Sequence, residues 1–141
     1  MKILVIGSGG REHALVWKIS QSIRATKIYC TPGNPGIAEL AECLPMKATA
    51  LEGILNFAKS NSIDLTVVGP EQPLAQGIVD LFEANGLKIF GATKRAAELE
   101  WSKAFAKEFM RRHEIPSAGY KTFARSEISE AKSYIMHSSV P

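Results

Sequence analysis

Cysteine is scarce in this chain, with two residues, Cys30 and Cys43, among 141. They form no C-x-x-C pair, and no histidine or further cysteine lies near either at zinc-ligand spacing, so the sequence carries no zinc signature. Both are expected to be free thiols in a reducing, cytoplasmic compartment, where disulfides are rare. Long apolar runs are also missing. A bilayer span needs roughly 20 consecutive apolar residues, and runs such as Ile3-Leu4-Val5-Ile6 stop after a few, so no membrane partner is expected. Because that first run is cut short by Gly7-Ser8-Gly9-Gly10, it is not expected to serve as a secretory leader. Aromatic residues make up only 8% and do not interleave with the basic ones, which argues against a stacking surface for nucleic acid. No internal repeat or low-complexity tract occurs. Disorder as the dominant state is excluded, because 45% of the residues are hydrophobic and spread along the whole chain.

The net charge of +3 is placed unevenly. Residues 1–93 hold 8 basic and 8 acidic side chains, whereas residues 94–141 hold 9 and 6 and so carry all of the excess. The basic residues Lys94, Arg95, Lys103, Lys107, Arg111 and Arg112 are interleaved with Glu98, Glu100 and Glu108, the pattern of a solvated helix face rather than a nucleic-acid surface.

Strand and helix patterns alternate through the first two thirds. Lys2–Ile6, Lys27–Cys30, Asp64–Val68 and Leu87–Phe90 are β-branched or apolar runs ended by Gly, Pro or Thr, and they predict strands. Between them, Ala14–Ile19, Leu51–Ala58 and Leu74–Phe82 repeat apolar residues at helical spacing. Thr31-Pro32-Gly33-Asn34-Pro35-Gly36 predicts loop throughout. Strict alternation implies parallel βαβ units with helices on both faces, a doubly wound α/β domain of four or five strands over residues 1–93. Ile3, Val5, Leu65, Val67 and Ile89 are expected in its core. Thr93 and Ser102 are good N-caps for two helices that follow. Tyr120–Phe123 predicts a strand, Ser126–His137 a helix, and Val140-Pro141 the opening of a further strand.

Three loops at strand ends carry the candidate chemistry. Gly7-Ser8-Gly9-Gly10 joins the first strand to the first helix, where glycines admit an anion to backbone N–H groups and the helix terminus adds partial positive charge. Gly9 and Gly10 are expected to donate to a phosphate-type ligand; a tight turn with no ligand is the alternative. Arg11 offers a charged fork for phosphate, and Glu12 and His13 offer contacts for a sugar or a substrate amine. Alternatively, Arg11 and Glu12 form a solvated first turn and His13 packs beneath the sheet. The dinucleotide fingerprint G-x-G-x-x-G fails at Glu12, and Tyr29-Cys30-Thr31 supplies no ribose-binding acid. Glu71, between Pro70 and Pro73, suits hydroxyls or an ammonium, and Gly69, Gly33, Asn34 and Gly36 line the other two loops. All three loops can face one crevice.

The combination of Ile-Gly-Ser-Gly-Gly-Arg-Glu-His-Ala at 6–14, Pro-Gly-Asn-Pro-Gly at 32–36, Asp-Leu-Thr-Val-Val-Gly-Pro-Glu-Gln-Pro-Leu at 64–74, Ile-Phe-Gly at 89–91 and Leu-Glu-Trp-Ser-Lys-Ala-Phe at 99–105 resembles the phosphoribosylamine–glycine ligase family of ATP-grasp enzymes. The resemblance runs the length of the chain. It implies a Rossmann-like substrate domain of pre-ATP-grasp type over residues 1–100. Residues 101–141 would be a linker and the opening helices and strand of an ATP-grasp domain. It implies ATP-dependent joining of glycine to 5-phosphoribosylamine in purine biosynthesis, with magnesium or manganese. Gly9, Gly10, Arg11, Glu12, His13, Gly33, Asn34, Gly36, Gly69, Pro70 and Glu71 would bind substrate. Lys103 matches a lysine that meets a nucleotide phosphate in such enzymes; an exposed helix lysine is the alternative. Trp101 stands where the family often has a small residue, and Ala92 where proline is common. The metal ligands and most of the ATP site are expected beyond Pro141, so the chain reads as an N-terminal piece, inactive alone, of a longer monomeric enzyme. A nicotinamide-dependent oxidoreductase domain and a non-catalytic ribose-phosphate-binding module are the competing readings.

Overall fold

The computed structural model describes residues 1–138, so the expected strand at Val140-Pro141 lies outside the described residues. The chain divides into two compact units, Met1–Trp101 and the residues from Ser102 onward. No helix among the described residues is long and apolar enough to cross a membrane.

In the first unit the elements run β1 (Lys2–Gly7), α1 (Gly10–Ser20), β2 (Lys27–Pro32), α2 (Pro35–Ala38), β3 (Glu42–Cys43), α3 (Leu51–Ser60), β4 (Leu65–Val68), α4 (Glu71–Gln76), α5 (Ile78–Ala84), β5 (Ile89–Phe90) and α6 (Lys94–Trp101). The five strands are parallel in the order β3-β2-β1-β4-β5. The central strand β1 pairs with β2 from Lys2↔Lys27 to Gly7↔Pro32, and with β4 from Ile3↔Leu65 to Ile6↔Val68. Both faces of β1 are covered, which is why Ile3-Leu4-Val5-Ile6 is apolar throughout rather than alternating. Ile3 and Val5 pack with Val16, Ile28, Ile37 and Val67 on the face covered by α1 and α2. Leu4 and Ile6 pack on the other face with Ile54, Leu55, Val68, Leu74, Ile78 and Phe82. The fold is the doubly wound α/β class expected from the alternation.

Several boundaries differ from the sequence reading, each for a local reason. The segment 31–36 is not loop throughout: β2 continues through Pro32, and α2 begins at Pro35. Pro32 is the last strand residue, where its missing N–H interrupts no ladder, and the next N–H, that of Gly33, donates to the Gly7 carbonyl at 3.1 Å. Asn34 then caps α2, its side chain accepting the Ile37 N–H at 2.9 Å. Leu74–Phe82 is not one helix. Gly77, with φ 92, breaks it into α4 and α5, and only a residue without a Cβ adopts that backbone readily. Strand β5 is two residues rather than four, and β3 escaped prediction because Glu42-Cys43 is too short to show a period.

In the second unit, Ser102 caps α7 (Lys103–Arg112) by accepting the Phe105 N–H at 3.3 Å, and α8 spans Ile128–His137. The expected strand at Tyr120–Phe123 does not form: among the described residues no strand pairs with it, and an isolated strand has no partner for its backbone groups. Side chains hold this stretch instead. The Tyr120 hydroxyl donates to Glu108 Oε2 at 3.1 Å, and Arg111 donates to both Glu108 oxygens at 2.6 and 2.9 Å. The bonds from Arg111, with that from Tyr120, hold the Glu108 carboxyl down at about 2, below its ordinary 4.5. A depressed carboxyl stabilises the fold above the ordinary value and loses that contribution as pH falls through the lowered one. The window therefore runs from about 4.5 down to about 2. The pair is exposed, so its effect on global stability is small. The carboxyl carbon of Glu108 is expected to titrate by NMR with a midpoint near 2, and higher in Arg111→Ala. A wild-type midpoint in the ordinary glutamate range would show that the pairing does not persist in solution.

Candidate functional site at the strand switch point

The strand order reverses between β1 and β4, and in an open parallel sheet the crevice outside the carboxyl ends of such strands is where ligands bind. Gly7 closes β1 and Gly69 follows β4, with the Gly69 N–H donating to the Ile6 carbonyl at 3.0 Å. From β1 the chain turns through Ser8 into Gly9, which has extended backbone and is the N-cap of α1. The Glu12 carboxylate reaches back and accepts the Gly9 N–H at 2.7 Å. This is the returning half of a capping box, satisfying a donor at the helix start. The first-turn N–H groups of Gly10 and Arg11 have no intrahelical acceptor. Above Gly10 the space is open, since a Cβ there would meet nothing within 4 Å.

The other glycines of this end have structural duties. Gly7 has φ 134, a backbone that side chains rarely adopt, and a Cβ on Gly7 or on Gly69 would run into the Glu12 side chain. Glycine at positions 7 and 69 therefore gives clearance for a buried glutamate. Glu12 is 4% exposed, so the alternative of a solvated first turn fails for this residue. It holds for Arg11, whose side chain is 60% exposed. Arg11 Nε donates to Glu12 Oε1 at 3.2 Å, and Arg11 Nη2 stands 3.7 Å from Glu71 Oε2. Glu71 is half-exposed and sits in the first turn of α4, not in a loop before it. Pro70 is the N-cap and Pro73 lies in the first turn, where a missing N–H goes unnoticed.

The third loop joins the same end of the sheet. Asn34 Nδ2 donates to the Ser8 carbonyl at 2.8 Å, and the Cys30 thiol donates to the Gly7 carbonyl at 3.4 Å. Burial pushes that thiol up to about 12, so Cys30 is inert as a nucleophile at neutral pH. Gly33, with φ 74, leaves room for Cys43, and Gly36 lies against the half-buried His13 ring, where a Cβ would come within 2.6 Å of Cε1. Both cysteines are free. The structure thus brings Gly9, Gly10, Arg11, Glu12, His13, Gly33, Asn34, Gly36, Gly69, Pro70 and Glu71 to one end of one sheet. Lys103 is exposed at the first position of α7, in the second unit. Sequence reasoning missed the role of Glu12 as the filler between two strand ends. The available signal was a long charged residue at the third glycine position of a G-x-G-x-x-G pattern, with a second glycine after another strand to accommodate it.

The crevice suits an anionic sugar: unpaired helix N–H groups and a guanidinium for a phosphate, and a carboxylate for hydroxyls or an amine. A separate groove of about 330 Å³, lined by Ser20, Thr26, Lys27, Leu40 and Glu42 among others, lies by the amino ends of β2 and β3. It has none of these groups except a Lys27–Glu42 ion pair at 2.7 Å, which raises the lysine above its ordinary value.

The sequence profile of the family described as "Phosphoribosylglycinamide synthetase, N domain" matches residues 1–100. A phosphoribosylamine–glycine ligase of Caldanaerobacter subterraneus subsp. tengcongensis is 57% identical over 125 residues, which are 89% of this chain and 30% of that protein. The chain thus spans about a third of the length of the curated relatives it matches. The crystal structure of a phosphoribosylamine–glycine ligase from Thermotoga maritima superposes with a TM-score of 0.64 at 25% identity, covering 94% of this chain and 30% of that one. A biotin carboxylase domain of Hydrogenobacter thermophilus 2-oxoglutarate carboxylase, solved with MgADP, ADP and bicarbonate, shares the fold with a TM-score of 0.72 at 19% identity, over 99% of this chain and 33% of that one. With residues 1–100 matched and the fold in agreement, the chain belongs to the phosphoribosylglycinamide synthetase N-domain family.

Proposed function

We propose that this chain is the substrate-binding N-terminal part of an enzyme that ligates glycine to 5-phosphoribosylamine at the expense of ATP, giving glycinamide ribonucleotide, ADP and phosphate in purine biosynthesis. The observation that carries the reading is the 57% identity to a protein of that name over 89% of the chain. In the proposed arrangement residues 1–100 form the domain that takes the ribose phosphate, and residues 101–141 are the linker and start of an ATP-grasp domain. Gly9, Gly10 and Arg11 hold the 5-phosphate through first-turn N–H groups and a guanidinium. Glu71 and Asn34 face the ribose hydroxyls or the amine, with His13, Gly33, Gly36, Gly69 and Pro70 shaping the walls. Lys103 meets a phosphate of ATP.

The residues present do not fit a divalent metal ion: among the described residues no three His, Cys, Asp or Glu side chains converge to hold one. No metal-dependent step is therefore assigned to this chain. Magnesium or manganese and most of the ATP contacts belong, in this reading, to the part of the relatives that the chain does not span. The proposed setting is cytoplasmic and monomeric, with small-molecule partners and neither nucleic acid nor membrane.

The test is a chimera. Replacing the matched segment of the Caldanaerobacter relative with this chain is expected to give turnover that depends on glycine, phosphoribosylamine and ATP. The 141 residues alone are expected to give none above background, because phosphoryl transfer needs its metal and nucleotide clamp. A folded chimera without turnover would overturn the reading, and turnover by the isolated chain would overturn the assignment of the ATP site to other residues.

A further inference from the structure

Glu12 is the buried charge of the switch point, with its side chain 5% exposed. Both carboxylate oxygens are engaged within the protein, Oε2 by the Gly9 N–H at 2.7 Å and Oε1 by Arg11 Nε at 3.2 Å. The side chain runs through the space that Cβ atoms would fill at Gly7 and Gly69, so it is wedged between the ends of β1 and β4. Arg11 is thereby held from two sides: Nε turns inward to Glu12, while Nη2 stands 3.7 Å from Glu71 across the crevice. A carboxylate so enclosed has little surface left for a ligand, and an adjacent bare negative charge would repel a phosphate. Paired with Arg11, it instead restricts the inner end of a long, otherwise rotamer-rich side chain whose outer face stays open to solvent. That is how an enclosed carboxylate raises affinity without touching the bound molecule.

We propose that Glu12 is a positioning residue for the anion site rather than a substrate contact: it acts through Arg11 and the Gly9 turn, setting the guanidinium between Glu71 and the open space above Gly10. This rests on the proposed phosphate reading of the crevice, and it changes the part Glu12 plays there. The same side chain occupies the gap between the two strand ends, which accounts for the failure of the dinucleotide fingerprint at this position.

The experiment is a double-mutant cycle on this chain with ribose 5-phosphate as the probe, read by titration calorimetry. Glu12→Gln keeps the shape but cannot accept from both partners, and is expected to weaken binding about tenfold. Arg11→Ala is expected to weaken it by at least as much, and Glu12→Gln added to Arg11→Ala to weaken it no further. A residue that touched the ligand, or that supported only the fold, would show independent losses or none, and additive effects would overturn the proposal. A second readout does not depend on the ligand. The Arg11 Nε–H is expected to exchange slowly with solvent in wild type and at least tenfold faster in Glu12→Gln. Absence of ribose 5-phosphate binding by wild type would remove the phosphate reading, and the exchange comparison would still decide the positioning role: unchanged exchange overturns it. Where Glu12→Gln fails to fold, Glu12→Asp, one methylene too short to reach both partners, is expected to give the same non-additivity and faster exchange.

Discussion

Gly7→Ala is expected to destabilise the Met1–Trp101 unit by about 2–6 kcal/mol in urea denaturation. Two causes combine. Backbone at φ 134 is strained for any residue with a Cβ, at about 1–3 kcal/mol. The new methyl also lands on the Glu12 side chain, and overpacking a buried site adds about 1–3 kcal/mol. Gly69→Ala isolates the second cause, because Gly69 has no positive φ and its Cβ would meet the same glutamate. It is expected to be destabilising by about 1–3 kcal/mol. In a Glu12→Ala background most of that loss should vanish, since the atoms in conflict are Glu12 Cγ, Cδ and Oε1, all beyond Cβ. The Gly7→Ala loss should shrink but persist, because the backbone strain remains. Equal losses for Gly69→Ala with and without Glu12 would show that the glutamate does not lie between the strand ends.

Phe82→Ala is expected to lose about 3–5 kcal/mol, the range for removing a buried aromatic ring. Phe82 is 0% exposed and packs α5 onto the face of the sheet that holds Leu4, Ile6 and Val68. The position cannot collapse easily. Gly77 sets the entry of α5, and the Leu87 N–H donates to the Phe82 carbonyl at 3.0 Å, tying the helix end to the chain that leads into β5. Phe90→Ala is the matched control. Its ring is 71% exposed, and the substitution should change stability by less than about 0.5 kcal/mol. Comparable losses at the two positions would mean that Phe90 is covered in solution or that the Phe82 face is not the core.

Most of the fold was legible in the residues. Alternation of apolar strand runs with helical periods is a local signal, and it marked four of the five parallel strands and the stretches that form α1, α3 and α4–α5, but not the short α2. N-caps at Thr93 and Ser102 were legible for the same reason: the Thr93 hydroxyl accepts the Ala96 N–H at 3.4 Å, and the Ser102 hydroxyl accepts that of Phe105. Candidate site residues were legible as types at strand ends, because glycine, proline and charge at such places have few local explanations.

What the sequence determined by itself is the doubly wound class and the family, since both rest on which residues follow one another. The tertiary structure decided what no neighbour in sequence could. It placed β1 between β2 and β4, so that the loops after Gly7 and Gly69, sixty-two residues apart, meet at one switch point. It buried Glu12, which lies in a first helical turn where sequence alone predicts either solvent or ligand, by setting two glycines from different strands around it. It also left Tyr120–Phe123 without a ladder, although its residues favour one. The physical reason is common to all three. Strand order, burial of a charge and the existence of a strand depend on partners distant along the chain. Periodicity and caps, by contrast, report only interactions within a few residues.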